Sequence, residues 1–505
     1  MVPPLGEAGG TSAKGLMVNT FGGVIRVEWE RDAPMTAMGL LPFFIEFLKA
    51  GHQFDSWVED CPVAMTSHNA PPKVNILGTY LLGVLGGQNR YAHITALRND
   101  GVNPQLLGMT QVMSEDSIRR AFKGVDEEKS RMWQLRHLGK TYEPLLDEPY
   151  VLDIDTTVKP LYGKQEGAVV GYNPHKPGRP SHVYHTYFIG TLRLVMDVEV
   201  EAGNQTASPY SQPALWRLID GLAPERRPRL LRGDCGFGNE SMISGCEARA
   251  LDYLFKLRLT ANVKRLTELV SLSTEWVNAG AGWEGVASEL KLTGWSASRR
   301  VIVLRRRLKE KRKQKRGKKG TDARLPFLEG FPEPEWYEYA VLVTSLRDEV
   351  LSIAQLYRDR GDMENNFDEL KNHWGWGGYT TQDMKRCQIS ARIVAQIYNW
   401  WSIFVRLAVA DQHIEGGTSR PLLMNAVGRQ TRHSGQTTLK VTSSHAKRAA
   451  IETALTAITT FLKKIPLIAE QFEINDHWRL ILSAAFRYFL SGRLLGVHPK
   501  HLSTG

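Results

Sequence analysis

Three carboxylates stand in places where a carboxylate is costly or out of keeping. Asp155 lies inside the strand-like run YVLDIDTTV (150–158), and Asp234 ends the apolar run RLLRGD (229–234). Glu364 sits beside an apolar stripe of Met363, Phe367, Leu370 and Trp374, which recur at helical spacing. An acid at the end of an apolar strand is expensive to desolvate unless it is paired or binds a cation. Three such groups from separate elements could hold two divalent ions about 4 Å apart, which activates an attacking oxygen and stabilises the leaving one in phosphodiester chemistry. Mg²⁺ suits this work, because it takes few carboxylates and shares its remaining coordination with water and phosphate oxygens; Mn²⁺ is a possible substitute. Asp153, two residues earlier, competes with Asp155 for the strand position. Each acid taken alone also has an ordinary structural use: Asp234 capping a turn, Glu364 pairing with Arg360 or Lys371.

The elements that must position these groups follow from periodicity and turn residues. Residues 1–145 read mainly as helices; LLPFFIEFLKAG and ILGTYLLGVLGG carry apolar faces and end in glycine. MSEDSIRRAFKG places Ser114 as the cap of a short basic helix bearing Arg119, Arg120 and Lys123, similar to the second helix of a helix-turn-helix. From Tyr150 the texture becomes strand-like: YVLDIDTTV, GAVVGY, VYHTYFIG and LRLVMDVEV, separated by Gly and Pro. A helix (PYSQPALWRLIDGL), a buried strand (RLLRGDCGF), a helix (NESMISGCEARA) and a strand (LDYLFKL) come next. This pattern predicts a mixed α/β sheet covered by helices. Residues 259–345 read as a small β-rich insertion, and helices resume at DEVLSIAQLYRDR and run to the C-terminus.

Charge adds a partner. The formal net charge is +11, and the run RRRLKEKRKQKRGKK (305–319) alone holds eleven Lys/Arg against one Glu. Arg305, Arg306, Arg307, Lys311, Arg312 and Lys313 in that run would grip a polyanion, supplying affinity without sequence specificity. Lys176 and Arg179, in a loop rich in Pro, Gly and His, suggest a second DNA-contacting segment. That reading is favoured over a metal site built from His175, His182 and His185, which no cysteine accompanies. The four scattered cysteines form no C-x-x-C pair, which fits a reducing cytoplasm. No apolar stretch is long enough to span a membrane, and the N-terminus does not read as a secretory signal.

Tyr357, Arg360, Glu364 and Lys371 form Y-x2-R-x3-E-x6-K. This resembles the YREK signature of DDE transposases of the insertion-sequence-four superfamily. LDIDTT resembles the first-aspartate motif of that superfamily and RGDCGF the second. VEWERDAPMTAMGLLPFF and YGKQEGAVVGYNPHKPGRPSHV are similar to segments of its thirteen-eighty group. The resemblance runs from about residue 20 to about 410. It implies a ribonuclease-H-like mixed-sheet catalytic core, interrupted by a β-rich insertion and flanked by helical N- and C-terminal regions. The chain would divide into a helical DNA-binding region (1–145), the first part of the core (146–258), the insertion with its basic tract (259–345), the second part of the core (346–410) and a helical C-terminal region (411–505).

On this resemblance Asp155, Asp234 and Glu364 are the catalytic, metal-holding triad, with two Mg²⁺ ions. Arg360 and Lys371 contact phosphate, and Tyr357 reaches the same backbone. An unbroken helix would put Tyr357, Arg360 and Lys371 on the face of Glu364, but Gly361 and Asp362 argue for a break. An aromatic side chain of the insertion, among Trp336, Tyr339, Tyr337, Trp276, Trp283 and Trp295, would stack on a flipped base. The implied activity is cut-and-paste transposition in a bacterial, nucleoid-associated setting. The implied partners are double-stranded DNA (terminal inverted repeats and target) and a second transposase molecule in a synaptic homodimer. The alternatives are a two-metal nuclease without strand transfer and a transposase-derived DNA-binding protein. A carbohydrate hydrolase would leave the basic tract without purpose.

Overall fold

A computed structural model of the chain describes residues 15–28, 34–65, 69–206, 208–272, 275–308, 336–409, 412–442, 445–469 and 474–496. The N-terminal part contains a hairpin, β1 (Leu16–Thr20) and β2 (Gly23–Val27), and a short β3 (Met35–Thr36). Helices α1 (Leu41–Ala50), α2 (Phe54–Glu59), α3 (Lys73–Leu85), α4 (Asn103–Leu106), α5 (Glu115–Lys123) and α6 (Glu127–Tyr142) follow. Ser114 caps α5 by accepting from the Ser117 amide, and Asp126 caps α6 by accepting from the Lys129 amide.

The sheet then begins with β4 (Val151–Pro160), β5 (Val169–Val170), β6 (Pro180–Ile189) and β7 (Leu194–Ala202). After α7 (Ser208–Asp220) come β8 (Leu230–Gly233), α8 (Glu240–Glu247), β9 (Asp252–Lys256) and α9 (Ala261–Ser271). The predicted insertion supplies β10 (Val277–Gly280), β11 (Trp283–Leu290), β12 (Arg299–Arg307) and β13 (Tyr337–Thr344). The chain continues with α10 (Val350–Arg358), α11 (Gly361–Asn372), α12 (Met384–Ala408), α13 (Gly416–Leu423), β14 (Gly428–His433), β15 (Gln436–Val441), α14 (Arg448–Ala469) and α15 (Ile474–Ala485).

One ten-stranded sheet organises the molecule in the order β10-β11-β12-β13-β9-β8-β4-β6-β5, with β7 also paired to β6. β6 runs antiparallel to β4 and β7 antiparallel to β6, whereas β8 runs parallel to β4 and β9 parallel to β8. All four residues of β8 are buried, as a central parallel strand requires. The insertion is not a separate sheet. β13 pairs antiparallel with β9, Leu342 opposite Lys256, so its strands extend the main sheet beneath α10.

The long helix α12 packs along β7 and α6, and it is buried almost from end to end. The flanking helical regions meet on it. Phe44 of α1 packs tilted or edge-on against Trp401 and Phe404 of α12, and Phe47 of α1 against Phe404 and against Trp478 of α15. The C-terminal region departs from the all-helical expectation: β14 and β15 form a hairpin, and β14 also pairs with β3. Its two-residue loop, Ser434-Gly435, has both residues at positive φ, the geometry that matches hairpin twist.

Candidate active site

Asp155 and Asp234 meet because of strand register. In the parallel β4–β8 pair the last partners are Ile154 and Gly233, so the next residue on each strand is an aspartate. Both acids therefore emerge side by side where the ladder ends, the usual place for a site in a sheet with parallel strands. Asp234 turns its Oδ1 to accept from the Gly236 amide at 2.8 Å, which shapes the tight turn ahead of α8. Asp155 accepts from the Thr156 amide at 2.7 Å.

Asp153 is already committed elsewhere. It is fully buried, and its two oxygens accept from Arg232 Nε at 2.5 Å and Nη2 at 2.7 Å. Arg232 also donates through Nη1 to the Leu356 carbonyl at the end of α10, tying the strands to the helix that precedes Glu364. Gly190 permits this pairing, since a Cβ there would lie 2.3 Å from Asp153 Oδ2. Sequence reasoning had not assigned Arg232 a role; the signal was a charge in an otherwise apolar central strand.

The residues 357–371 divide between two helices. Tyr357 belongs to the last turn of α10, Arg360 is the N-cap of α11, and Glu364 and Lys371 lie along α11. The single-helix face is thus broken at Asp359–Arg360, yet the four side chains still address the same place. Arg360 Nη2 donates to Asp155 Oδ2, and Arg360 Nη1 lies 3.6 Å from Glu364 Oε1. Arg360 is 5% exposed, whereas the Glu364 side chain is 72% exposed. Burial raises the Tyr357 hydroxyl above its ordinary range and lowers Lys371, with Asp368 and then Asp155 pulling Lys371 back up.

A second buried acid on α11 holds this helix in place. Glu369 accepts from Trp374 Nε1 at 2.9 Å, the Gly416 amide at 2.7 Å and His413 Nε2 at 2.8 Å. Burial opposes its charge, but these donors keep its carboxyl below the usual range. Composition gave no sign of this anchor.

Electrostatics single out Asp155. Burial pushes its carboxyl up to about 7; Arg360 opposes the shift, and Asp234 and Glu364 add to it by like-charge repulsion. A buried carboxylate that feels two others, one of them on the exposed face of α11, is chemically suited to a hard divalent cation. Among the described residues, however, no group of three or more His, Cys, Asp or Glu side chains is gathered closely enough to hold a metal ion. The positive charge standing between Asp155 and Glu364 is the guanidinium of Arg360.

Residues 62–462 match the family profile described as transposase DDE domain group 1, a span that contains both aspartates and the whole Tyr357–Lys371 segment. The chain belongs to the DDE transposase family. It is an enzyme that acts on DNA, and DDE transposases generally use divalent metal ions. No curated protein matches it. Among solved structures it is similar to a piggyBac transposase synaptic complex with hairpin DNA, at 12% identity and a TM-score of 0.38, covering 90% of this chain and 88% of that one. A likeness that distant adds nothing to what the residues themselves say.

The other predicted DNA contacts of this transposase lie apart from the acids. Arg305 sits over the Trp276 ring at 3.9 Å and the Tyr337 ring at 4.7 Å while donating to Glu284 at 2.8 Å. Arg306 lies over Trp283 at 4.8 Å and donates to Glu338 at 2.7 Å. Arg307 is exposed at the end of β12; Lys311, Arg312 and Lys313 fall outside the described residues. Trp336 is 50% exposed, whereas Tyr339 packs partly against the core. Lys176 and Arg179 flank the exposed Tyr162 ring at 5.2 and 4.8 Å. His182 and His185 are buried and spend their Nε2 atoms on the carbonyls of Glu166 and Gln205. No helix among the described residues is long and apolar enough to cross a membrane.

Proposed function

We propose that this enzyme is a cut-and-paste DNA transposase of the insertion-sequence-four superfamily, most like its thirteen-eighty group, with Asp155, Asp234 and Glu364 as its catalytic acids. One observation carries the reading: strand register brings Asp155 and Asp234 together, and a single arginine of the YREK segment reaches both Asp155 and Glu364. The strand order β7-β6-β4-β8-β9, with three antiparallel strands followed by two parallel ones, supports a ribonuclease-H-like core.

When bound by these acids, two divalent ions, Mg²⁺ in the cell, would activate the attacking oxygen and stabilise the leaving one. The chain's own residues supply the rest. Arg360 presents a planar fork to a phosphate and Lys371 a point charge; Tyr357 offers its hydroxyl to the same strand. Direct in-line displacement needs no protein nucleophile, so Cys235, beside Asp234, takes no covalent role.

The insertion's arginines, the basic tract and the Lys176–Arg179 loop would hold flanking DNA. Exposed Trp336 is a better candidate than Tyr339 for stacking on a flipped base. The helical region 1–145 would read the inverted repeat, and a homodimer would pair two ends in the bacterial cytoplasm. The test is a joining assay with end duplexes, a target plasmid and Mg²⁺. Wild type should cut the end and join it to target, whereas Glu364→Gln should bind the end without cutting. Cutting without joining would indicate a nuclease instead.

A further inference from the structure

We infer that Arg360 is an internal counter-ion that keeps divalent cations off the carboxylates of the DNA-free enzyme and releases them when a DNA phosphate captures it. This rests on the reading of Asp155, Asp234 and Glu364 as the metal-holding set. Metal would then load after DNA.

Two equally buried arginines, each paired with an acid of β4, make the case by contrast. Arg232 is fixed: Nε and Nη2 go to Asp153, and Nη1 goes to the Leu356 carbonyl. Arg360 is only partly satisfied. Nη2 meets Asp155, Nη1 approaches Glu364 at 3.6 Å, and its buried Nε has no hydrogen-bond partner. A buried donor left without a partner is a cost that a better acceptor could remove.

Arg360 also stands at the break between α10 and α11, where no side chain caps the helix. A small change at that turn would move the guanidinium without unpacking α11, which Glu369 anchors further along. A guanidinium cannot shed its charge, so a divalent ion entering beside it meets permanent repulsion. A phosphodiester offers two oxygens that match the fork bidentately, including the unpartnered edge. The carboxylates lose their counter-ion as the phosphate gains one.

The probe is Mn²⁺ alone, titrated into the full-length, DNA-free protein at about pH 8, where a carboxyl of raised pKa is ionised. Binding is followed by electron paramagnetic resonance, with circular dichroism checking the fold of every variant. Arg360→Gln should bind Mn²⁺ more tightly than wild type, on the order of tenfold. Arg360→Lys, which keeps the charge, should stay close to wild type. A short DNA duplex should tighten Mn²⁺ binding to wild type by a similar factor and change Arg360→Gln little. Asp155→Asn should abolish the gain in both backgrounds. If Arg360→Gln binds no better than wild type while Asp155→Asn still weakens binding, the counter-ion role is wrong and the metal set stands. If Asp155→Asn leaves Mn²⁺ binding to Arg360→Gln intact, the metal set itself is wrong.

Discussion

The end of the β4–β8 ladder and the face of the inserted strands both pair arginines with carboxylates, but under opposite conditions. At the ladder end Arg360 is buried against Asp155, and Arg232 is buried against Asp153. On the inserted strands Arg305 and Arg306 pair with Glu284 and Glu338 at a surface where both acids are roughly half exposed. Buried charges are weakly screened and costly to leave single, whereas exposed ones are screened by salt and cheap to rearrange. In the first region the Arg232–Asp153 pair is thus built to hold a geometry, and Arg360 is the member left with an unpartnered edge. The second is built to trade one polar partner for another, a glutamate for a phosphate.

The largest expected effect comes from breaking a buried pair. Arg232→Met leaves Asp153 charged and alone and should cost about 3–5 kcal/mol of stability, read from denaturant midpoints. Adding Asp153→Asn to that variant should recover part of the loss. A loss under about 1 kcal/mol for the single change would mean that the pair is not the anchor described here.

A pH effect comes next. The Asp155 carboxyl titrates near 7 in the folded protein, mainly because of burial, against an ordinary value near 4. The folded chain therefore holds a proton that the unfolded chain has released between those values. Stability is lost as pH rises through that window. Asp155→Asn, which cannot ionise, should melt at the same temperature as wild type below about pH 4 and progressively above it up to about pH 7, without added metal. A constant gap across pH would assign the shift to another group.

The smallest effect on the fold belongs to the inserted face. Arg305→Ala and Arg306→Ala should change stability by about 0.5 kcal/mol or less. Each should weaken DNA binding and make its salt dependence shallower by roughly one phosphate contact. An unchanged salt slope would remove these arginines from the DNA interface.

Much of this division was legible in the sequence. β4, β8 and α12 declare themselves by apolar runs of the right length, and Gly361 foretells the break between α10 and α11. The two aspartate motifs and the Tyr-Arg-Glu-Lys segment pointed to a DDE transposase, the family whose profile the chain matches. Pairings that depend on distant partners were not legible. Nothing local says that β13 lies beside β9, and so the insertion read as a separate unit. Nor does anything local say that Asp153 belongs to Arg232, or Glu369 to His413. The β14–β15 hairpin was missed for a different reason. Its strands, GRQTRH and QTTLKV, are too polar to show alternation, although the Ser434-Gly435 turn signal stands between them.

The account stands or falls on whether Asp155 and Asp234 serve one site. The direct measurement is the single-turnover rate of end cleavage with Mg²⁺ for Asp155→Asn, Asp234→Asn and the double variant, with end binding checked for each. Groups that act as a unit are non-additive, so either single change should abolish most of the rate and the double variant should be no slower than the slower single. If the two losses multiply, or if either single variant cuts as fast as wild type, the two aspartates do not share the chemistry assigned to them.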